Sequence, residues 1–263
     1  MEENNGHDLF HEASKAKYDC LLFDLDDTLY PFSSGMTVQI GEKVIEYVVQ
    51  KIGIEDVAKV RELCLALYKT YGTVLAGFKA FGHDFDNEEF NSFVHEALPY
   101  DDVLKPDPIL KDILQNLPLR KIIFTNADNA HAVRVLKRLG LEDCFERIID
   151  FDTLNSSNNN IMDPAHDYQH GIDGESKPVS ARICEIYEYM KNPPDSSYID
   201  MVLPRTPVVC KPFEYAFQKL FKIANIDPQR TVGTCIETAG VDHSLKSIHD
   251  IRNAFPELWE QRP

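Results

Sequence analysis

Apolar and polar positions along the chain fall into three regimes. Residues 18–24 (YDCLLFD) form a short continuous apolar run that ends in a cluster of acids, the pattern of a buried parallel strand. From 35 to about 98 the apolar positions recur every three or four residues. Val38, Val44, Ile45, Val48 and Val49 belong to one segment, and Val57, Val60, Leu63, Cys64, Leu67 and Tyr68 to the next; this spacing predicts amphipathic helices.

After the breaks at Pro106 and Pro108 the pattern alternates. A strand is predicted at 121–125 (KIIFT), a helix at 130–139 with Val133, Val135, Leu136 and Leu139, and a strand at 147–150. That is a βαβ rhythm. Residues 152–206 lose it, running through NSSNNN and KNPPDSS, and are expected to form a mobile insertion with one helix near 181–190. Order returns with a strand at 206–210 (TPVVC), a helix at 214–224 led by Pro212, and a helix near 244–254.

Composition narrows the function classes. With 43 acidic against 27 basic residues the net charge is −16, so the overall field repels nucleic-acid polymers and anionic membranes. Any phosphate must be met locally. Six cysteines (Cys20, Cys64, Cys144, Cys184, Cys210 and Cys235) show no pairing rhythm, which suits a reducing compartment and buried thiols. Residues 1–17 are polar and acidic, a flexible tail without signal-peptide character. No apolar stretch approaches the roughly 20 residues that cross a bilayer, and the expected location is the cytoplasm or the nucleus.

The chemistry gathers at strand ends, where open α/β sheets place ligands. Asp24-Leu25-Asp26-Asp27-Thr28 follows the first apolar run. Carboxylates at i and i+2 can converge on one pocket, with Asp24 as a nucleophile and Asp26 as a general acid and base. Read alone, such a motif is more often a solvated acidic turn capped by Thr28. Residues 121–126 deliver Thr125 and Asn126 as phosphate donors before a helix start. Residues 208–212 deliver Lys211, whose charge would offset repulsion between a phosphate dianion and the carboxylates. Singly, Thr125 reads as a helix cap and Lys211 as a solvated charge.

The ordered set DLDDTLY, FTN and CKP, each after an apolar run, resembles the first three signatures of the haloacid dehalogenase-like (HAD) hydrolase superfamily. The strings DLDDTLYPFSSG, YKTYGT, GHDFD, LKPDP, LPLRKIIFTNAD, LGLEDCF, VCKP and PELWE are similar to the plant and fungal group around yeast pyrimidine 5′-nucleotidase. The resemblance implies an α/β core with a doubly wound parallel sheet at 18–30 and 106–263, and an inserted helical cap at 31–105. It implies a phosphomonoesterase that works through an aspartyl-phosphate on a small phosphorylated metabolite such as a nucleoside monophosphate. It also implies Mg²⁺ held by Asp24 and the backbone carbonyl of Asp26. Within the cap, YKTYGT and the aromatic stretch Phe78, Phe81, His83 and Phe85 either face the leaving group or pack internally.

A fourth signature, an apolar strand ending in paired acids that complete the Mg²⁺ site, is absent. After 226–231 the sequence passes directly to Val232-Gly233-Thr234, so one core strand and its helix are expected to be missing. Residues 231–234 are expected to be too short to rebuild the ladder beside the first strand. Asp101-Asp102, Glu237 and Asp242 offer no evident substitute, and the cluster Asp163, His166, Asp167, His170 and Asp173 sits in a polar segment. Two alternatives to the enzyme follow: a catalytically impaired binding protein, or a truncated chain that folds poorly.

Overall fold

The computed structural model describes residues 17–83, 85–156, 187, 203–234 and 247–259. Residues 1–16 of the expected tail, most of the insertion with its helix and its Asp/His cluster, and Cys184, Cys235, Glu237 and Asp242 lie outside the described residues. In chain order the main elements begin with β1 (Cys20–Phe23), α1 (Met36–Ile52), α2 (Val57–Tyr71), α3 (Val74–Ala80), α4 (Asn87–His95) and α5 (Tyr100–Val103). They continue with α6 (Pro108–Gln115), β2 (Arg120–Phe124), α7 (Asn129–Leu139), β3 (Arg147–Ile149) and α8 (Phe151–Asn155). The last are α9 (Glu214–Ala224), β4 (Thr231–Thr234) and α10 (Ile251–Ala254). No helix among the described residues is long and apolar enough to cross a membrane.

The strands form one parallel sheet in the order β3-β2-β1-β4. Strand parity explains its two covered faces. Leu21, Phe23 and Ile123 pack with Leu110 and Leu114 of α6, Val135 and Leu136 of α7, and Ile251 of α10. Cys20, Leu22, Ile122 and Phe124 face the opposite way, onto Leu154 of α8 and Ala216 and Leu220 of α9. Helices on both faces make the doubly wound α/β layer that the resemblance implies, in keeping with the βαβ rhythm of the sequence.

Three expectations change. Residues 206–210 form no strand. Their backbone bonds go to side chains instead: Val208 N donates to Thr206 Oγ1 at 3.2 Å and Val209 N to Asn155 Oδ1 at 2.9 Å. Asn155 Nδ2 donates to Val209 O at 3.0 Å, and Lys211 N donates to Asn126 Oδ1 at 2.8 Å. Amide side chains satisfy the groups a ladder would otherwise take.

The second change is at the sheet edge. β4 pairs with every residue of β1, from Cys20 with Thr231 to Phe23 with Thr234. Because β1 is itself four residues long, the short replacement strand closes the ladder. Third, the helix expected over 244–254 begins later among the described residues, as a 3₁₀ turn at Ile248–Asp250 leading into α10. Ser247, in extended backbone, accepts from His249 N through its hydroxyl and so fixes the start.

Helices α1 to α4 build most of a second apolar cluster, which Phe151 of α8 and Val208 and Cys210 of the lysine loop join. The Tyr47 ring makes edge contacts with Phe85, Phe90 and Phe93 at 5.4, 5.1 and 5.3 Å. Phe78 and Phe81 are buried in the same cluster, so the aromatic stretch is packed internally. α2 and α3 approach so closely that a Cβ on Gly77 would lie 2.8 Å from Leu67 Cβ. Val57 and Tyr68 of the predicted apolar stripe are exposed, as is Val133 of α7. Met36, Leu98, Tyr100 and Leu104 pack with the sheet instead of the helical cluster.

Aspartates start many of these helices. Asp56, Asp86, Asp107, Asp128 and Asp150 each accept from a backbone N–H in the first turn, satisfying otherwise orphaned donors. Part of the acidic excess is therefore local structure.

Candidate active site

β1 ends in a buried apolar run and delivers Asp24 at the C-terminal edge of the sheet, beside β2. Asp24 Oδ1 accepts from Leu25 N at 2.8 Å and pairs with Lys211 Nζ at 2.6 Å. The same ammonium donates to Phe124 O, the last residue of β2, at 2.8 Å. Lys211 is held at both ends of its residue. Asn126 Nδ2 donates to Lys211 O at 3.0 Å while Asn126 Oδ1 accepts from Lys211 N at 2.8 Å.

Thr125 is almost fully buried. Its N–H donates to Ile149 O at 3.0 Å and its Oγ1 accepts from Ala127 N at 3.1 Å, which leaves the hydroxyl proton to be donated. Three stretches distant in sequence thus bring Asp24, Thr125, Asn126 and Lys211 to one strand end.

The turn after β1 is tight. Leu29 N donates to Leu25 O at 2.9 Å, and Asp27 takes a left-handed φ of 56°, a conformation that Asp tolerates better than most residues. Asp27 Oδ1 accepts from Thr37 Oγ1 at 2.7 Å, tying α1 to the turn. Thr28 does not cap it: its buried Oγ1 has no hydrogen-bond partner among the described residues.

Asp26 points into a network that the sequence motifs did not reveal. Its Oδ1 accepts from the Tyr30 hydroxyl and pairs with His131 Nε2 at 2.8 Å. Burial pushes the Asp26 carboxyl up, but the charge and hydrogen bond of His131 and the Tyr30 hydroxyl more than offset it, holding it at about 2. Burial and the Asp26 charge push the Tyr30 hydroxyl far up, so it remains a donor. His131 is fully buried, and its Nδ1 lies 2.8 Å from the Tyr100 hydroxyl. Burial likewise raises Tyr100. The only sequence signal for this network is a histidine on the buried side of α7, which singly reads as core.

The motif resemblance implies Mg²⁺, an ion that demands near-octahedral oxygen coordination. Among the described residues no group of three or more His, Cys, Asp or Glu side chains is placed to hold a metal. One carboxylate, Asp24, and the Asp26 main-chain carbonyl do not complete such a site.

A family model described as haloacid dehalogenase-like hydrolase matches residues 18–170. The chain belongs to this family. Phosphate metabolism protein 8 of Saccharomyces cerevisiae is 31% identical over 133 residues, which are 48% of this chain and 41% of that protein. The chain thus spans less than half the length of that curated relative. Among solved structures, a β-phosphoglucomutase from Clostridium difficile is similar at 18% identity, covering 86% of this chain and 79% of that one with a TM-score of 0.39. A HAD phosphatase from Thermococcus onnurineus is similar at 23% identity over 52% of this chain and 64% of that one, with a TM-score of 0.33.

Proposed function

We propose that this HAD-like hydrolase is a phosphomonoesterase for a small phosphorylated metabolite such as a nucleoside monophosphate. The observation that carries the reading is the Asp24–Lys211 pair at 2.6 Å, a carboxylate nucleophile with the cation that offsets its repulsion from a phosphate dianion. An Asp24 carboxylate oxygen bonds to phosphorus as the ester P–O bond breaks. Asp26, an ionised carboxylate at rest, takes up a proton from solvent as the ester binds and gives it to the departing oxygen. Water then attacks the aspartyl-phosphate, Asp26 takes a proton from it, and the Asp24–phosphorus bond breaks to release inorganic phosphate.

Thr125 and Lys211 hold the phosphate oxygens, and Asn126 holds the lysine loop in place. The helical layer α1 to α4 serves as the cap over the leaving group. Mg²⁺ would draw on the Asp24 carboxylate and the Asp26 carbonyl and, lacking the acids of the fourth signature, bind weakly.

The test is hydrolysis of p-nitrophenyl phosphate and a nucleoside-monophosphate panel, with and without Mg²⁺, beside Asp24→Asn. Loss of turnover by roughly 1000-fold or more in the variant is expected; equal rates would overturn the reading. The absent fourth signature favours a second reading, a non-catalytic binding protein. A cooperatively folded chain that binds these esters saturably without turning them over would establish that instead.

A further inference from the structure

We infer that His131, fixed by Tyr100, is the positioning residue for the proton-transferring carboxylate of Asp26; the inference rests on the phosphomonoesterase reading. Both hydrogen bonds to the Asp26 side chain fall on one oxygen, Oδ1. One donor, Tyr30, is four residues along the same loop, and the other, His131, comes from α7 across 105 positions of sequence. Two donors from separate elements fix the carboxylate plane. Oδ2 remains as the oxygen that can carry a proton to the leaving group.

The imidazole itself cannot turn. Its backbone N–H donates to Asp128 Oδ1 at 2.7 Å. Its ring centroid lies 4.5 Å from that of His95, and His95 Nδ1 pairs with Asp128 Oδ2 at 2.5 Å. Tyr100 is held in turn by the Arg134 guanidinium 5.6 Å over its ring and by its own contact with His95 O at 3.2 Å. Because the Asp26 carboxylate can only accept, Nε2 carries the N–H that faces it, while Nδ1 meets the Tyr100 hydroxyl.

Leaving-group dependence separates positioning from general structural damage. Nitrophenolate departs without protonation, whereas the alkoxide of a nucleoside 5′-monophosphate needs the Asp26 proton. His131→Leu removes the donor, while His131→Gln restores an N–H in place of Nε2–H. Both are compared with Tyr100→Phe, which removes the hydroxyl behind the ring.

In a His131→Leu protein that unfolds cooperatively, kcat for the nucleoside monophosphate is expected to fall at least about 10-fold more than kcat for p-nitrophenyl phosphate. KM is expected to stay within about twofold and His131→Gln to recover most of the loss, because the carboxylate's orientation and not substrate binding has changed. Equal losses on both substrates, or none, would overturn the inference while the wild type and Asp24→Asn still report on the phosphatase reading. Crystal structures of His131→Gln, His131→Leu and Tyr100→Phe read the positioning without turnover. The Asp26 carboxylate is expected to keep its place in His131→Gln and to be displaced in Tyr100→Phe; an unmoved carboxylate in both Tyr100→Phe and His131→Leu would overturn the inference.

Discussion

The two sides of strand β1 are built differently. On one side β2 is buried at Ile122, Ile123 and Phe124, leads into Thr125 and Asn126, and receives Lys211 on its last carbonyl. On the other, β4 is a four-residue edge in which Thr231 and Val232 are half-buried and Gly233 is exposed, with no atom of the described residues within 4 Å of where its Cβ would be. The same backbone ladder therefore serves two purposes. Toward β2 it carries most of the core and the proposed phosphate site, and toward β4 it satisfies the hydrogen bonds of β1 and sets the half-buried Val232 against the core.

Lys211→Ala is the strongest challenge to this contrast. It removes the cation on Asp24, and turnover of a phosphate ester is expected to drop by about 100-fold or more; a smaller loss would mean that positive charge reaches Asp24 from the β4 side. Next in size is the core. Ile122→Ala, at a fully buried position facing α8 and α9, is expected to cost roughly 2 to 4 kcal/mol in urea unfolding.

Gly72→Ala links the helical layer to the β2 side. Gly72 has φ of 78°, and a Cβ there would lie 2.0 Å from Lys211 O, so the lysine loop must shift. A loss of about 10-fold in kcat with a folded protein is expected.

Asp128→Asn keeps a capping oxygen but removes the charge paired with His95, and is expected to cost about 1 kcal/mol at neutral pH. Burial raises the Asp128 carboxyl, while the hydrogen bond and charge of His95 and the His131 N–H outweigh it and leave it below the usual carboxylate range. Its contribution is present above the ordinary value near ~3.9 and is lost as pH falls through the lower folded value. The difference between wild type and Asp128→Asn is therefore expected to vanish in acid, as followed by urea titrations at stepped pH. Smallest of all, Val232→Ala at the half-buried outer strand is expected to change stability by less than about 1 kcal/mol; a cost like that of Ile122→Ala would erase the distinction between the two sides.

Where each element falls in the chain tracks how far its stability depends on local pattern. The continuous apolar runs of β1 and β2 and the three-four spacing of α1, α2, α7 and α9 fix a period, and the period dictates which face is buried. Residues 206–210 carry an equally apolar run yet form no strand. Asn155 and Asn126, distant in sequence, take their backbone bonds, and no local signal contains that competition. Val133 and Tyr68 fit the helical stripe and remain exposed for a related reason, since whether a stripe position is covered depends on a neighbouring element.

For the site, the order of residue types along the sequence is enough to point to Asp24, Asp26, Thr125, Asn126 and Lys211, because strand ends are where a parallel sheet exposes polar groups. Sequence alone also determines the family, the alternating α/β order and the missing fourth signature. Only the tertiary structure decides that Asn126 clamps the lysine loop, that Gly72 abuts it, that β4 closes the ladder, and that Tyr30, His131 and Tyr100 converge on Asp26. Those outcomes depend on contacts between residues up to 211 positions apart, which no spacing along a chain encodes until the helices and the sheet have packed.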